Sequence, residues 1–429
     1  MSKNELKRSL GFFSLVAFGV GDILGAGVYA LIGKGTGLVG PIYWVCFLAA
    51  LIVAALTGLS YAELGSRFPR SAGESFYTLK AFGKPFLSYG VGFLVLMSGV
   101  ISMAVVSHAF AGYVRAIWPA FPAPVIILLF FLLLAVINFW GIQESSFTNV
   151  ICTLVEVSGI LVVIGAGLQY AGKVNYLEMI PADGKDPTTA FFQASILAFY
   201  AFIGFEDMVK AAEESHQPER SIPRAIIVSL AIVTILYVLT ALAAVSVVPV
   251  AELARSSAPL MLVVERGFPA FPRGIFTLIA LFAVTNTALV NFVMGSRLLY
   301  GMAKEGLAPS VLGRVHAIRS TPHVAIVVVF LIALLLALTG TLTLLAQSTS
   351  LILLIVFFLV NGSLLMLKIR FPDERSAFRV FIGVPVGGAL SALALIYYID
   401  PKAYVSVFIL MVLAVAFYFG WGSSKNKMP

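Results

Sequence analysis

Charged residues are scarce in this sequence. They make up 11% of its 429 residues, whereas hydrophobic residues make up 60%. A soluble domain carries about 25% charged residues, so this sequence has too few to cover a water-facing surface. The scarcity argues against a soluble globular protein and favours a protein that is solvated by lipid.

Cysteine and histidine are also rare. The two cysteines, Cys46 and Cys152, lie inside apolar runs, and their spacing fits neither a disulfide framework nor a metal site. We interpret them as packing residues and expect no metal. The four histidines are spread along the chain, so they do not supply the clustered base and nucleophile of a membrane-embedded enzyme. We therefore expect no enzymatic activity.

Two further classes of function are disfavoured by what is missing. No G-x-x-x-x-G-K-[ST] phosphate loop occurs, so we expect no ATPase within the chain, and any transport would depend on a gradient. The net charge of +8 comes from residues on loops rather than from a basic face interleaved with aromatic residues. We therefore expect no nucleic-acid partner.

Long apolar runs separate the short charged segments. Runs of about 17–25 residues can cross ~30 Å of hydrocarbon as helices. They lack the alternation of a membrane β-barrel, and backbone groups in lipid must pair within their own segment. The sequence therefore predicts an all-α integral membrane protein, with one transmembrane domain over residues 1–429. The predicted spans are 12–32, 38–63, 86–114, 123–140, 147–170, 190–213, 224–247, 272–302, 324–344, 346–368, 377–397 and 403–421.

The last two predicted spans contain interruptions, at Gly383, Pro385 and the pair Gly387-Gly388.

The orientation of the chain in the membrane follows from the positions of its basic residues. If the N-terminus is cytoplasmic, 19 of the 28 Lys and Arg residues fall in cytoplasmic segments and Lys210 lies inside a span. This asymmetry predicts that both termini are cytoplasmic in a multi-pass protein of the cell (plasma or inner) membrane.

Glycine and acid occur together in the first span, between Gly19 and Tyr29. Four glycines in nine residues each cost a helix about 1 kcal/mol relative to alanine. They favour either an unwound turn, which would present a half-helix N-terminus to an anion, or close helix packing. Asp22 favours the first interpretation, because an acid at membrane depth is costly and usually functional.

The sixth span repeats the pattern, with Gly204 beside Glu206 and Asp207. Interrupted helices at corresponding positions of two halves are a sequence indicator of a transporter's midplane site. The matched pair therefore predicts a small-solute site where spans one and six meet.

Four stretches together resemble a known family of membrane transporters. They cover roughly residues 10–310 in order and identify the chain as similar to the amino acid–polyamine–organocation (APC) superfamily, and within it to the cationic amino acid transporter group. The stretches are Gly25 to Tyr29, Tyr61 to Tyr77, Phe199 to Glu206 with Glu213-Glu214 and Gln217 to Pro223, and Gly295 to Arg297 with Met302 to Pro309.

The resemblance implies an inverted five-plus-five repeat, with repeat one at about 10–170, repeat two at about 190–368, broken helices one and six, and two extra helices at about 377–421. It implies a secondary active transporter, a symporter or exchanger, that carries an amino acid or related amine by alternating access. The expected partners are that amine-bearing solute and membrane lipid, with no protein partner. No cofactor is expected beyond a coupling ion, a proton or alternatively Na⁺.

The resemblance also implies roles for backbone groups at the breaks. The substrate carboxylate would meet N–H groups of Ala26 and Gly27, and the amine would meet carbonyls of Ile23, Tyr200 and Ile203. The Tyr200 ring would close over the substrate as an outer gate, and Ala26 replaces a serine found in several relatives. The predicted substrate-binding residues are Ile23, Gly25, Ala26, Gly27, Tyr200, Ile203 and Gly204.

Glu156, in span five, is the main candidate for coupling. Alignment on Glu144-Ser145 places it where some relatives carry a lysine that stands in for Na⁺. It could carry a proton, ligate Na⁺, or form a structural hydrogen bond to Thr285 or Asn286 of span eight. An ionisable group at membrane depth favours a functional role.

Two further acidic residues have alternative interpretations. Asp22 could favour a cationic substrate or take a proton, or it could cap the helix break. Glu206 matches an acid linked to gating and proton sensing in relatives, but it could instead pair with Lys210 one helical turn later.

A solute sensor or a channel built on a transporter fold remains the alternative function of the protein.

Overall fold

A computed structural model of the protein describes residues 10–69, 73–140, 146–182, 184–304, 308–319, 321–372 and 376–419. These ranges are helical apart from connections and one isolated parallel bridge between Leu10 and Ser215. Several residues of the predicted signatures lie outside the described ranges. They are Arg70, Ser71, Ala72, Glu144, Ser145, Glu305, Gly306 and Leu307.

Helices occupy all twelve predicted span positions. The first half contains α1 (Phe12–Leu24), α2 (Ala26–Val39), a 3₁₀ turn (Gly40–Ile42), α3 (Tyr43–Arg67), α4 (Gly73–Phe82), α5 (Pro85–Ile117), α6 (Ala123–Trp140) and α7 (Ser146–Leu168). The middle contains α8 (Pro187–Phe202), a 3₁₀ segment (Phe205–Glu214), α9 (Pro218–Val247), α10 (Val250–Arg255), α11 (Pro259–Gly267) and α12 (Arg273–Lys304). The last part contains a 3₁₀ turn (Ser310–Gly313), α13 (His323–Thr339), α14 (Leu342–Arg370), α15 (Gly383–Tyr397) and α16 (Pro401–Phe417).

Eight helical stretches within the described ranges are long and apolar enough to cross a membrane by length and composition. The helices α1 and α13 are apolar but shorter. The first and sixth predicted spans are each divided, α1 from α2 and α8 from the 3₁₀ segment Phe205–Glu214. The two interruptions that glycine and acid predicted are therefore confirmed.

The C-terminal pair departs from the sequence prediction. Gly383, Pro385 and Gly387-Gly388 do not interrupt a helix, because α15 begins at Gly383 and runs through all of them. Proline is tolerated there because the first turn of a helix has no internal acceptor for its N–H groups. The sharp bend lies instead at the predicted connection between the last two spans, between Tyr397 and Pro401, where α15 and α16 meet at 114°.

Helix α5 lies near the centre of the bundle, where it packs against α12, α14, α4, α13 and α6. Helix α3 packs against α9 and α8, and so supports the second divided span from outside. Its Tyr61 ring makes edge contacts with Phe205, directly after the second break, and with Phe357 of α14.

A buried ion pair joins the ends of α3 and α14. Lys368 Nζ lies 2.7 Å from Glu63 Oε2, with both side chains at least 93% buried. The same two groups hold the backbone of Val380: Glu63 Oε2 accepts its N–H at 2.7 Å and Lys368 donates to its carbonyl at 2.6 Å. Ser66 accepts the N–H of Phe378 at 3.0 Å. The connection before α15 is thus fastened to α3.

Candidate functional site

The first break is a single residue wide. Helix α1 ends at Leu24, Gly25 adopts φ −32° and ψ −148°, and α2 begins at Ala26. Ala26 and Gly27 are therefore the first residues of α2, where N–H groups have no intrahelical acceptor. A helix N-terminus with free N–H groups attracts an anion, so the geometry suits the carboxylate role predicted for these two residues.

The second break spans Ile203 and Gly204. Ile203 is extended, with φ −59° and ψ 135°, and Gly204 has φ 126° and ψ −27°. Only glycine adopts such a positive φ without strain. The N–H of Ile203 still bonds to the carbonyl of Tyr200, at 3.3 Å.

The two breaks lie against each other. A Cβ atom added to Gly204 would sit 2.7 Å from the carbonyl oxygen of Asp22, and one added to Gly27 would sit 2.6 Å from Cα of Ala201. No side chain fits at either position. The structure therefore brings the predicted residues of the first and sixth spans together at one place.

A side chain that the sequence analysis did not single out joins the breaks. The Tyr237 hydroxyl, on α9, lies 2.6 Å from the carbonyl oxygen of Ile23 and 2.7 Å from that of Ala201. In an unbroken helix these carbonyls would accept from residues 27 and 205. Tyr237 is buried, and its hydroxyl substitutes for the helical donors that the breaks removed.

Tyr200, the predicted outer gate, occupies the last turn of α8. Its side chain is buried, and its hydroxyl lies 2.9 Å from the hydroxyl of Ser102 on α5. Ser102, like Tyr237, is not among the residues predicted from the sequence. Hydroxyl groups are ordinary in apolar helices, where they bond to their own backbone, so neither Ser102 nor Tyr237 carried a sequence signal.

Of the acids at the two breaks, Glu206 is the one that caps a backbone N–H at its own break. Glu206 Oε2 accepts the N–H of Gly204 at 2.9 Å, so this buried carboxylate closes its own break. Asp22 is half-buried, and its Oδ2 is sealed from solvent without a hydrogen-bond partner among the described residues. Asp22 therefore carries one buried carboxylate oxygen without a partner, two residues before α1 ends at the first break.

The predicted pair between Glu206 and Lys210 does not form. Lys210 makes an ion pair with Asp207 and lies 4.0 Å from Glu74 Oε1 of α4. The reason is the helix type: residues 205–214 form a 3₁₀ helix, in which side chains three apart align and side chains four apart do not. Lys210 thereby connects the 3₁₀ segment that follows the second break to α4.

Glu156 is fully buried on α7. Its Oε1 accepts a hydrogen bond from Asn286 Nδ2 at 3.0 Å, and its Oε2 is sealed without a partner among the described residues. Thr285 donates to the carbonyl of Leu281 in its own helix, at 2.6 Å. Of the two predicted neighbours, Asn286 is therefore the one whose side chain bonds Glu156.

A carboxylate with one unpaired buried oxygen is costly unless it binds a proton or a cation. Glu156 has this arrangement beside α1, because Thr153, one turn earlier on α7, lies against Gly21. The unpartnered oxygen of Glu156 is thus a position where a proton or a small cation would relieve the cost of burial.

Comparison with known proteins shows which family the chain resembles. The model of the amino acid permease family matches residues 10–427. The chain is similar to the branched-chain amino acid permease BcaP of Bacillus subtilis, at 27% identity over 99% of this chain and 95% of that protein. It is similar to the chloroplastic cationic amino acid transporter 9 of Arabidopsis thaliana, at 30% identity over 73% of this chain and 58% of that protein. The human cystine/glutamate transporter is 28% identical over 97% of this chain and 86% of its own length.

Proposed function

The chain belongs to the amino acid permease family, and from this premise we propose that it is a proton-coupled secondary transporter of an amino acid, which binds its substrate where the two helix breaks meet. Its relatives are permeases and transporters, so the protein is a multi-pass membrane transporter and not an enzyme. Its substrate is an amino acid. The coupling ion, the mode of transport and the site residues are the proposed parts.

One observation carries the proposed site: the breaks at Gly25 and at Ile203-Gly204 pack directly on each other. This contact sets the N-terminus of α2 beside carbonyls that have lost their helical donors. N–H groups suit the α-carboxylate of an amino acid and carbonyls suit its α-ammonium group. A site of this kind recognises what all amino acids share, and leaves the side chain to the surrounding helices.

Glu156 supports the proposal of proton coupling. Asn286 satisfies one of its oxygens, and the other is buried and unpaired. Proton binding would neutralise the group without any further ligand, whereas Na⁺ requires several oxygen ligands. We therefore favour a proton over Na⁺ and assign Asp22, at the break, as the second acid in contact with the transport path.

We also propose that both termini are cytoplasmic in the cell membrane, that residues 10–170 and 190–368 form the two inverted repeats, and that the helices over 377–421 are additions to them. Modification of single cysteines placed in the connections, by a membrane-impermeant maleimide on whole cells, tests the orientation. A reagent added outside the cells should label cysteines at 173 and 273 and should not label cysteines at 84 and 319. The opposite pattern of labelling would contradict the proposed orientation.

The test of function is uptake into proteoliposomes by purified protein, with an inward proton gradient and with radiolabelled leucine, arginine and glutamate. We expect gradient-stimulated uptake of at least one of them. Glu156→Gln keeps the bond from Asn286 but cannot bind and release a proton, so it should abolish gradient-driven uptake and leave substrate binding largely intact. Ser158→Ala is the matched control, because the Ser158 hydroxyl donates to the carbonyl of Val155 in its own helix.

Three results would contradict parts of this proposal. Binding without flux would favour a sensor, and single-channel currents would favour a channel. Unchanged pH dependence in Glu156→Gln would remove Glu156 from proton transfer. Uptake that requires Na⁺ at every pH would show that the coupling ion is Na⁺ and not a proton.

A further inference from the structure

We propose that Ser102, on α5, is the positioning residue that holds the Tyr200 gate closed, through the hydrogen bond between their hydroxyl groups. The inference rests on the proposed function, since it concerns access to the substrate site. It adds a residue outside both broken helices to the transport machinery. Neither residue type nor spacing marks Ser102 in the sequence.

The hydrogen bond has an ordinary length and is enclosed. The two oxygens are 2.9 Å apart, and Ser102 and Tyr200 are 8% and 4% exposed. Tyr200 extends from the last turn of α8, and Ser102 lies near the middle of α5. In a buried environment without competing water, a hydroxyl pair of this kind orients both side chains.

Ser102 behaves differently from the other serines at its depth on α5. Ser98 donates to the carbonyl of Val95 and Ser107 donates to that of Ala104, each at 2.8 Å and each within the helix. Both are buried as well. The hydroxyl of Ser102 instead bonds to a side chain of α8. It therefore connects two helices, whereas the hydroxyls of Ser98 and Ser107 bond within α5.

The elements that Ser102 joins have different freedom to move. Helix α5 packs extensively against α12 and α14, and its residue Gly99, close to Ser102, faces Asn291 of α12. Tyr200 precedes the break at Ile203-Gly204 by one turn. Rotation about that break would carry the last turn of α8, with Tyr200, away from α5. The Ser102 hydroxyl group must be released for this movement to occur.

The strength of one hydrogen bond fits this role. Such a bond shifts an equilibrium between closed and open forms by about two- to twelvefold. That is enough to favour the closed gate over a bound substrate and little enough for the bond to break in every cycle.

The experiment measures substrate affinity and dissociation rate in proteoliposomes, with whichever of radiolabelled leucine, arginine or glutamate the wild type takes up. We expect Ser102→Ala and Tyr200→Phe each to raise Kd and the dissociation rate by about two- to twelvefold. The double variant should be no worse than either single one, because both remove the same bond. Ser102→Thr, which keeps the hydroxyl, should restore the wild-type values.

Ser98→Ala is the matched control, since it removes a buried hydroxyl from the same helix, one turn away, without touching the gate. Melting temperatures of all variants should stay near that of the control, which separates gating from folding. The inference is overturned if Ser102→Ala matches Ser98→Ala in Kd and dissociation rate, or if the effects of Ser102→Ala and Tyr200→Phe add. A wild type that takes up none of the three amino acids overturns the proposed function, and the gate with it.

Discussion

The hydroxyl of Tyr237 lies between two carbonyl oxygens, 2.6 Å from that of Ile23 and 2.7 Å from that of Ala201. A phenol has one proton to donate, so it can serve only one of these carbonyls at a time. Both carbonyls belong to helix ends created by the breaks. The second carbonyl therefore keeps capacity for another donor, such as the ammonium group of a substrate.

Removal of this hydroxyl should weaken both fold and binding. We expect Tyr237→Phe to lower the free energy of unfolding by about 1–3 kcal/mol, because it leaves a buried carbonyl without a donor, and to raise KM for uptake. Thermal melting and initial uptake rates measure the two effects. Tyr170→Phe is the control, since the Tyr170 hydroxyl bonds the carbonyl of Arg266 at an exposed position. Equal behaviour of the two variants would contradict a bridging role for Tyr237.

The partner of Glu156 can be tested by comparing two neighbours on α12. Asn286→Ala removes the donor at 3.0 Å and leaves a second oxygen of a buried carboxylate unpaired. Thr285→Val removes a hydroxyl that bonds to its own helix. We expect Asn286→Ala to shift the pH dependence of uptake and to have clearly the larger effect. A larger effect of Thr285→Val would show that the side chains exchange roles during transport.

The contact between the breaks predicts that Gly204 tolerates no side chain. Gly204→Ala combines an unfavourable φ of 126° with a Cβ atom 2.7 Å from the carbonyl oxygen of Asp22. We expect loss of folded, detergent-stable protein. Gly172→Ala isolates the first effect, because Gly172 has φ 80° and open space around it; it should cost about 1–2 kcal/mol. The yield of monodisperse protein on size-exclusion chromatography should be much lower for Gly204→Ala than for Gly172→Ala. Similar yields for the two variants would mean that the two breaks separate easily.

The ion pair of Glu63 and Lys368 should be important for stability. Glu63→Gln or Lys368→Met alone leaves a buried charge without its partner, which costs about 3–5 kcal/mol. Combining the two changes should cost less than the sum of the single ones, because no charge is then left buried. The exposed pair of Glu252 and Arg266 provides the comparison, and Glu252→Gln should change stability by less than about 1 kcal/mol. Additive losses at positions 63 and 368 would contradict this account of their coupling.

Much of the architecture could be predicted from the sequence, because lipid leaves a chain few choices. Scarce charge and long apolar runs predicted twelve spans, and helices occupy all of them, but the same signal did not predict the short helices α4, α10 and α11 in the connections. Glycine beside an acid predicted the breaks near Gly25 and Gly204, since neither residue type is favourable inside an apolar helix. The same reasoning was wrong at Gly387-Gly388, which do not end the helix: Gly388 allows Asn361 of α14 to approach α15 closely.

The sequence by itself determined the class of protein, the interrupted helices and the acids that must be accommodated in the interior, because composition and local propensity act along the chain. Only the tertiary structure decided which groups those residues meet. The 3₁₀ geometry after Gly204 turned Lys210 toward Asp207 and left Glu206 to cap the break. The packing of α9 and α5 supplied Tyr237 and Ser102. Each of these two hydroxyl groups bonds to a helix that is distant in sequence, and no local sequence pattern predicts such a contact.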